Sequence, residues 1–148
     1  VLVEAARIAR GEITDLADVS ATDFDALVFP GGFGAAKNLC NFAFAGTDME
    51  VDPEVARIVA ETHAASKPIG FICISPTIAA KLLPGVTLTM GAPSDAADAA
   101  EALGAVHKVT DVGSCVVDRE HKVVSTAPWV AAVAQGIDAL VDEVLKLT

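Results

Sequence analysis

Ile69-Gly70-Phe71-Ile72-Cys73-Ile74-Ser75-Pro76 is the stretch whose reading decides the fold: an apolar strand, a cysteine, and a Ser-Pro pair that opens a helix. A junction of this kind is predicted to lift Cys73 out of the strand into the first turn of the helix. Backbone N–H groups there carry partial positive charge, favour thiolate over thiol, and can move a cysteine pKa from about 8.5 toward about 3.5–7.5. The same geometry presents a nucleophile at the top of an α/β sheet, where neighbouring N–H groups can receive a developing oxyanion. Cys73 is therefore the candidate nucleophile. The competing reading is a small buried hydrophobe, the common role of an intracellular cysteine.

Outward from this junction the chain alternates strand and helix patterns. Val1, Leu2, Ala5, Ile8 and Ala9 recur at helical spacing until Gly11, and Ala26-Leu27-Val28-Phe29 reads as a buried strand ended by Pro30-Gly31-Gly32. Asp52-Pro53-Glu54 starts a helix that runs to about Ala65, and Lys67-Pro68 ends it. After the Cys73 strand a short helix extends to about Leu83, with Pro76 tolerated in its first turn. Val86 to Met90 reads as a strand, Ser94 caps a helix from Asp95 to Leu103, and Ala105 to Val109 is extended again. Ser114 to Val117 and Lys122 to Thr126 form a hairpin around Asp118-Arg119-Glu120-His121, and Trp129 to Leu147 forms a terminal helix. Buried strands alternating with crossover helices predict an α/β fold: an open, mostly parallel sheet with helices on both faces and a small hairpin.

Composition narrows the function classes. The 148 residues suffice for one domain, 1–148, with a core that needs neither disulfide nor metal. Hydrophobic residues make up 53%, yet charges interrupt every apolar run before the roughly 18 residues a bilayer span requires. A net charge of -10 repels polyanions, which excludes nucleic acid and anionic membrane surfaces as partners. Cys40, Cys73 and Cys115 are odd in number and lack C-x-x-C spacing, which predicts a reducing, cytoplasmic location. The chain opens with Val1-Leu2-Val3-Glu4 in helix register rather than with methionine, so sequence upstream is expected to be missing.

In parallel sheets ligands bind at the carboxyl ends of strands. The loop Pro30-Gly31-Gly32-Phe33-Gly34 follows one such strand, and Gly31 and Gly32 allow the close backbone approach or positive φ that an oxyanion- or substrate-binding loop needs. If the two strands are adjacent, amides near Gly32 and that of Ile74 converge on a carbonyl attacked by Cys73. A tight turn without chemistry is the alternative. The loop is neither a Walker loop nor a dinucleotide fingerprint.

Together, Val28-Phe29-Pro30-Gly31-Gly32-Phe33-Gly34-Ala35-Ala36-Lys37-Asn38-Leu39 and Gly70-Phe71-Ile72-Cys73-Ile74-Ser75-Pro76 resemble the glyoxalase ElbB-like family. Its members are also described as isoprenoid biosynthesis proteins with an amidotransferase-like domain, in the PfpI-like branch of the class I glutamine amidotransferase superfamily. The resemblance runs from Val1 to the terminal helix. It implies a flavodoxin-like fold, Cys73 as nucleophile, and oxyanion donors from the Gly32 and Ile74 backbones. It further implies a homodimer and a glyoxalase-like or deglycase-like activity that turns glyoxal-type dicarbonyls into hydroxy acids with no cofactor, glutathione or metal. Two departures stand out. Many PfpI-like members carry histidine directly after the cysteine, where this chain has Ile74. The family's acidic partner, a glutamate, belongs to an early loop upstream of Val1, within a strand-helix-strand segment that this chain lacks. A non-catalytic role, as a redox-sensing thiol or a metabolite- or partner-binding protein linked to isoprenoid metabolism, is the alternative; an ammonia-supplying amidotransferase is disfavoured by the missing histidine and glutamate pair.

The remaining polar candidates read as structural. His63 near a helix end and His121 in a turn are expected to be solvated, and His107 on a strand is expected to pack, with no further ligands spaced for zinc. Cys40 and Cys115 read as packed thiols, Cys40 lying close enough behind the glycine loop to meet Cys73 on oxidation. Asp48, Glu50 and Asp52 suit a solvated helix cap rather than a metal cage. Trp129, Val130, Val133, Ile137, Leu140, Val141 and Val144 are expected to pack the last helix on the sheet.

Overall fold

The computed structural model describes residues 2–111, 113–127 and 133–148. Six strands are found among them: β1 (Leu27–Phe29), β2 (Ile69–Ile72), β3 (Thr87–Leu88), β4 (Val106–His107), β5 (Cys115–Asp118) and β6 (Val123–Thr126). The helices are α1 (Leu2–Ile8), α2 (Phe42–Ala45), α3 (Pro53–Ala64), α4 (Pro76–Leu82), α5 (Asp95–Ala102) and α6 (Val133–Leu147). The main sheet has the order β1-β2-β6-β5, with β1, β2 and β6 parallel and β5 antiparallel to β6. This is the expected mostly parallel α/β sheet. Trp129 and Val130, assigned to the terminal helix from sequence, lie outside the described residues.

Alternation along β2 and β6 sorts side chains to two faces. Ile69, Phe71 and Val123 enter a core shared with α3, α4 and α5, whereas Ile72 and Val124 pack with Leu140 and Val144 of α6. Phe71 is fully buried and stacks on its cross-strand neighbour Phe29, with ring centroids 5.0 Å apart. Gly70 faces α6: a Cβ there would lie 2.9 Å from Leu140 Cδ2, so the missing side chain lets the helix seat closely on the sheet.

Several elements differ from the sequence expectation. The predicted strands at Val86 to Met90 and Ala105 to Val109 shorten to β3 and β4, which pair in a separate two-stranded parallel sheet. The reason lies in how β3 meets the main sheet. Its Thr87 N–H goes to Asp118 Oδ2 at 2.7 Å, and the N–H of Thr89, just beyond it, goes to Ser125 Oγ at 2.9 Å. Side-chain oxygens of β5 and β6 take donors that a backbone ladder would otherwise use. A π-helical turn at Ala35–Leu39 and the short α2 were not anticipated. Asp52 does cap α3, its Oδ1 accepting from the N–H groups of Glu54 and Val55 at 2.9 and 3.3 Å.

The two histidines assigned to solvent are instead half-buried and stacked, their ring centroids 5.9 Å apart. His121 Nδ1 lies 2.9 Å from Asp118 Oδ2, and Asp118 is only 7% exposed. Asp118 Oδ1 also accepts from the N–H groups of Glu120 and His121, so the turn folds back on the carboxylate that opens it. Burial alone would raise the Asp118 pKa, but the donors from His121 and Thr87 outweigh it and hold the group below the ordinary carboxylate value.

Candidate active site at the end of β2

The turn after β2 is built by Ser75. This residue precedes α4, yet its side chain makes no helix cap. It turns back into the sheet, 1% exposed, where Oγ accepts from Ile72 N–H at 2.9 Å and lies 3.0 Å from Phe29 O and 2.9 Å from Ile72 O. One hydroxyl thus closes the turn on itself and ties it to the end of β1. From the other side, Cys73 N–H donates to Thr126 O at the end of β6, 3.2 Å away.

Held between these anchors, Cys73 takes φ +65°, the left-handed region that non-glycine residues rarely enter. This corrects the placement in the first helical turn: Cys73 stands on a strained turn, and α4 begins three residues later at Pro76. Strain of this kind costs about 1–3 kcal/mol and is found where a site needs a fixed side-chain direction. The Cys73 side chain is half-buried against the edge of the α6-side cluster.

The glycine loop lies against this turn, as expected if the two strands are neighbours. Gly31 has φ +80°, and a Cβ there would overlap the carbonyl oxygen of Ile72 and lie 2.9 Å from Cys73 Cβ. Gly31 is therefore the point of contact between loop and turn. Gly32, also at φ +80°, faces open space. The N–H groups of Gly32 and Ile74 have no acceptor among the described residues. The Ile74 side chain packs on the main core. Among the described residues no imidazole or carboxylate hydrogen-bonds to the Cys73 thiol.

The other cysteines serve packing. Cys40 is buried, its Sγ 3.5 Å from Ala35 O, and burial pushes its thiol pKa up. Cys115 is half-buried; burial first and the Glu143 carboxylate second raise its pKa as well. His107 belongs to the β3-β4 sheet, its Nε2 buried and without a hydrogen-bond partner among the described residues. No group of three or more potential ligands that could hold a metal ion is found among the described residues. Sequence reasoning missed Ser75, whose position before Pro76 signals a cap rather than a clamp; only the neighbouring strand shows the difference.

No protein-family model matches the chain. Among curated proteins it is 49% identical to human glutamine amidotransferase-like class 1 domain-containing protein 3, mitochondrial, with all of this chain aligned to 60% of that protein. The compartment in that name departs from the cytoplasm expected above. No helix among the described residues is long and apolar enough to cross a membrane. Among solved structures, the isoprenoid biosynthesis protein with amidotransferase-like domain from Ehrlichia chaffeensis superposes with TM-score 0.88 and 33% identity, covering 99% of this chain and 70% of that one. Glyoxalase III from Candida albicans shares the fold with TM-score 0.59 at 16% identity, over 85% of this chain and 60% of that one. At 33% identity over nearly the whole of this chain and 70% of the Ehrlichia protein, the chain belongs to the amidotransferase-like family of that protein.

Proposed function

We propose that the protein uses Cys73 to convert glyoxal-type dicarbonyls into hydroxy acids, in the manner of ElbB-like, PfpI-branch glyoxalases. The observation that carries this reading is Cys73 at φ +65°, pressed against Gly31, with the N–H groups of Gly32 and Ile74 lacking an acceptor among the described residues. Arg10, Ser66 and Lys122 are left-handed as well; Cys73 differs from them in standing at the end of a parallel strand, where ligands bind, with its turn anchored to both neighbouring strands. The glyoxalase name of a structural neighbour is in keeping with the reading.

The chemistry closes without a cofactor. Cys73 sulfur adds to one aldehyde carbon, the carbonyl oxygen takes a proton, and a hemithioacetal forms. The proton on that carbon moves to the second carbon through an enediol, leaving a thioester of the hydroxy acid. Water adds to the thioester, the carbon–sulfur bond breaks, and glycolate leaves with the thiol restored. Donors at Gly32 and Ile74 would act on the oxyanions of the first and last steps, each such donor typically contributing about 3–4 kcal/mol. The proton transfer needs a base, and Ile74 supplies none. Catalysis by this chain is accordingly modest.

Glyoxal turnover by the protein and by Cys73→Ala tests the proposal: loss of glycolate production in the variant supports it, and equal turnover removes the nucleophile. The absence of a bonded imidazole or carboxylate at Cys73 among the described residues favours a second reading, a redox-sensing thiol. Selective sulfenic or sulfinic modification of Cys73 under mild peroxide, with no turnover of glyoxal, would select it. We place the protein in a reducing compartment, a homodimer there by analogy with its superfamily. Its three free cysteines support such a compartment, and the mitochondrial name of the human relative is compatible with it.

A further inference from the structure

Beyond the glycine loop the chain exposes two aromatic rings. Phe33 is 69% exposed and Phe44 74% exposed, although neither position is needed by the core. Lys37 stands between them, its Nζ 5.2 Å from the Phe33 ring centroid and 5.4 Å from that of Phe44. Arg7, Arg57 and Lys146, by contrast, sit on carboxylates, and Lys67 and Lys122 donate to backbone carbonyls. Lys37 is on none of the carboxylates of the described residues within ion-pair distance, including Glu50 and Asp52, which line the shallow hollow beside it. Two ring faces steer the ammonium without neutralising it.

The position of this cluster relates it to Cys73. Gly31 touches the cysteine turn, Phe33 is two residues on, and the π-helical turn Ala35–Leu39 carries Lys37. Single π turns are frequent at functional sites. Arg10, Lys81, Lys108 and Arg119 likewise make no ion pair among the described residues; Lys37 differs from them in being held by two ring faces, on the turn that follows the glycine loop.

We propose that Lys37, held between Phe33 and Phe44, binds an anionic group, carboxylate or phosphate, on an aldehyde substrate whose reacting carbon lies several bonds away at Cys73. This rests on the reading of Cys73 as an aldehyde-capturing thiol. The capture step is an addition: the sulfur–carbon bond forms, the thiol proton passes to the carbonyl oxygen, and nothing is oxidised or expelled. The rings would cover the apolar stem of the substrate while the ammonium meets its charge. Glyoxal, which has no such group, would then be a minimal substrate rather than the preferred one.

Protection of Cys73 from iodoacetamide, followed by mass spectrometry, reads capture without requiring turnover. Succinic semialdehyde, glyceraldehyde 3-phosphate and neutral butanal are compared on the protein, on Lys37→Met and on Lys37→Arg. A charged aldehyde should protect at about fivefold lower concentration than butanal, the scale of an exposed ion pair worth about 1 kcal/mol, and less so in high salt. The preference should vanish in Lys37→Met and survive in Lys37→Arg; whichever charged aldehyde shows it identifies carboxylate or phosphate as the group. Equal protection by all three, or a preference unchanged in Lys37→Met, overturns the proposal. If no aldehyde, glyoxal included, protects Cys73, it is the reading of Cys73 that fails. The anion site is then decided by the NMR ring resonances of Phe33 and Phe44 on adding succinate or inorganic phosphate. Shifts lost in Lys37→Met support it. Shifts that are absent, persist in the variant, or follow protein concentration instead of added anion overturn it, the last marking a contact between copies of the chain.

Discussion

Ser75 Oγ lies 3.0 Å from Phe29 O, and through this contact the strand that ends at the glycine loop is tied to the turn that presents Cys73. The same oxygen accepts the Ile72 N–H, so Ser75→Ala removes a donor and an acceptor at once in a site that water cannot enter. The expected cost is about 1–3 kcal/mol, because a buried N–H is left unpaired. Urea denaturation measures it, and a loss below the error of the method would show that the turn does not depend on this hydroxyl.

Gly31 and Gly32 share φ +80° but differ in what surrounds them. Gly32→Ala meets no neighbour and should lose only the left-handed penalty of about 1–2 kcal/mol. Gly31→Ala adds overlap with Ile72 O and should cost about 2 kcal/mol more than Gly32→Ala, with displacement of the loop from Cys73. Equal stability of the two variants would contradict the packing of loop on turn.

Cys73 in the left-handed region is a source of strain that glycine would relieve. Cys73→Gly should therefore be more stable than Cys73→Ala by about 1 kcal/mol, while both lose glyoxal turnover. Thermal or chemical denaturation of the pair checks this, and a more stable alanine variant would mean the turn relaxes when the thiol is absent.

Asp118 governs the acid side of the stability profile. Its native pKa lies below the ordinary value, so the unfolded chain binds the proton first as pH falls. The stability this carboxylate contributes is full above its unfolded pKa of about 3.9 and is lost as pH drops through the lower native value. At pH 7 Asp118→Asn should cost about 1–3 kcal/mol, and the gap between variant and parent should close below about pH 4. A gap independent of pH would assign the effect to shape rather than charge.

Much of the site was legible along the chain. The strand Ile69 to Ile72, the cysteine after it, and the glycine pair after Phe29 are local signals, each written in consecutive residues. Asp52-Pro53 likewise announced its helix, because capping uses neighbours in sequence. Ser75 was read as part of a helix start, and its partner Phe29 is 46 residues away, so no local pattern could reveal the clamp. His121 looked solvated for the same reason: its turn is polar in sequence, but His63 arrives from α3 to cover it.

The sequence by itself determined the alternation of strand and helix, the candidate thiol and the glycines that can approach it, because periodicity, capping and glycine's missing side chain act over a few residues. Only the tertiary structure decided that β1 lies beside β2, that Cys73 takes a left-handed turn instead of a helical one, and that β3 leaves the main sheet for side-chain acceptors. Those outcomes depend on which groups far apart in the chain satisfy each other's hydrogen bonds once buried, and that is settled only when the whole core closes.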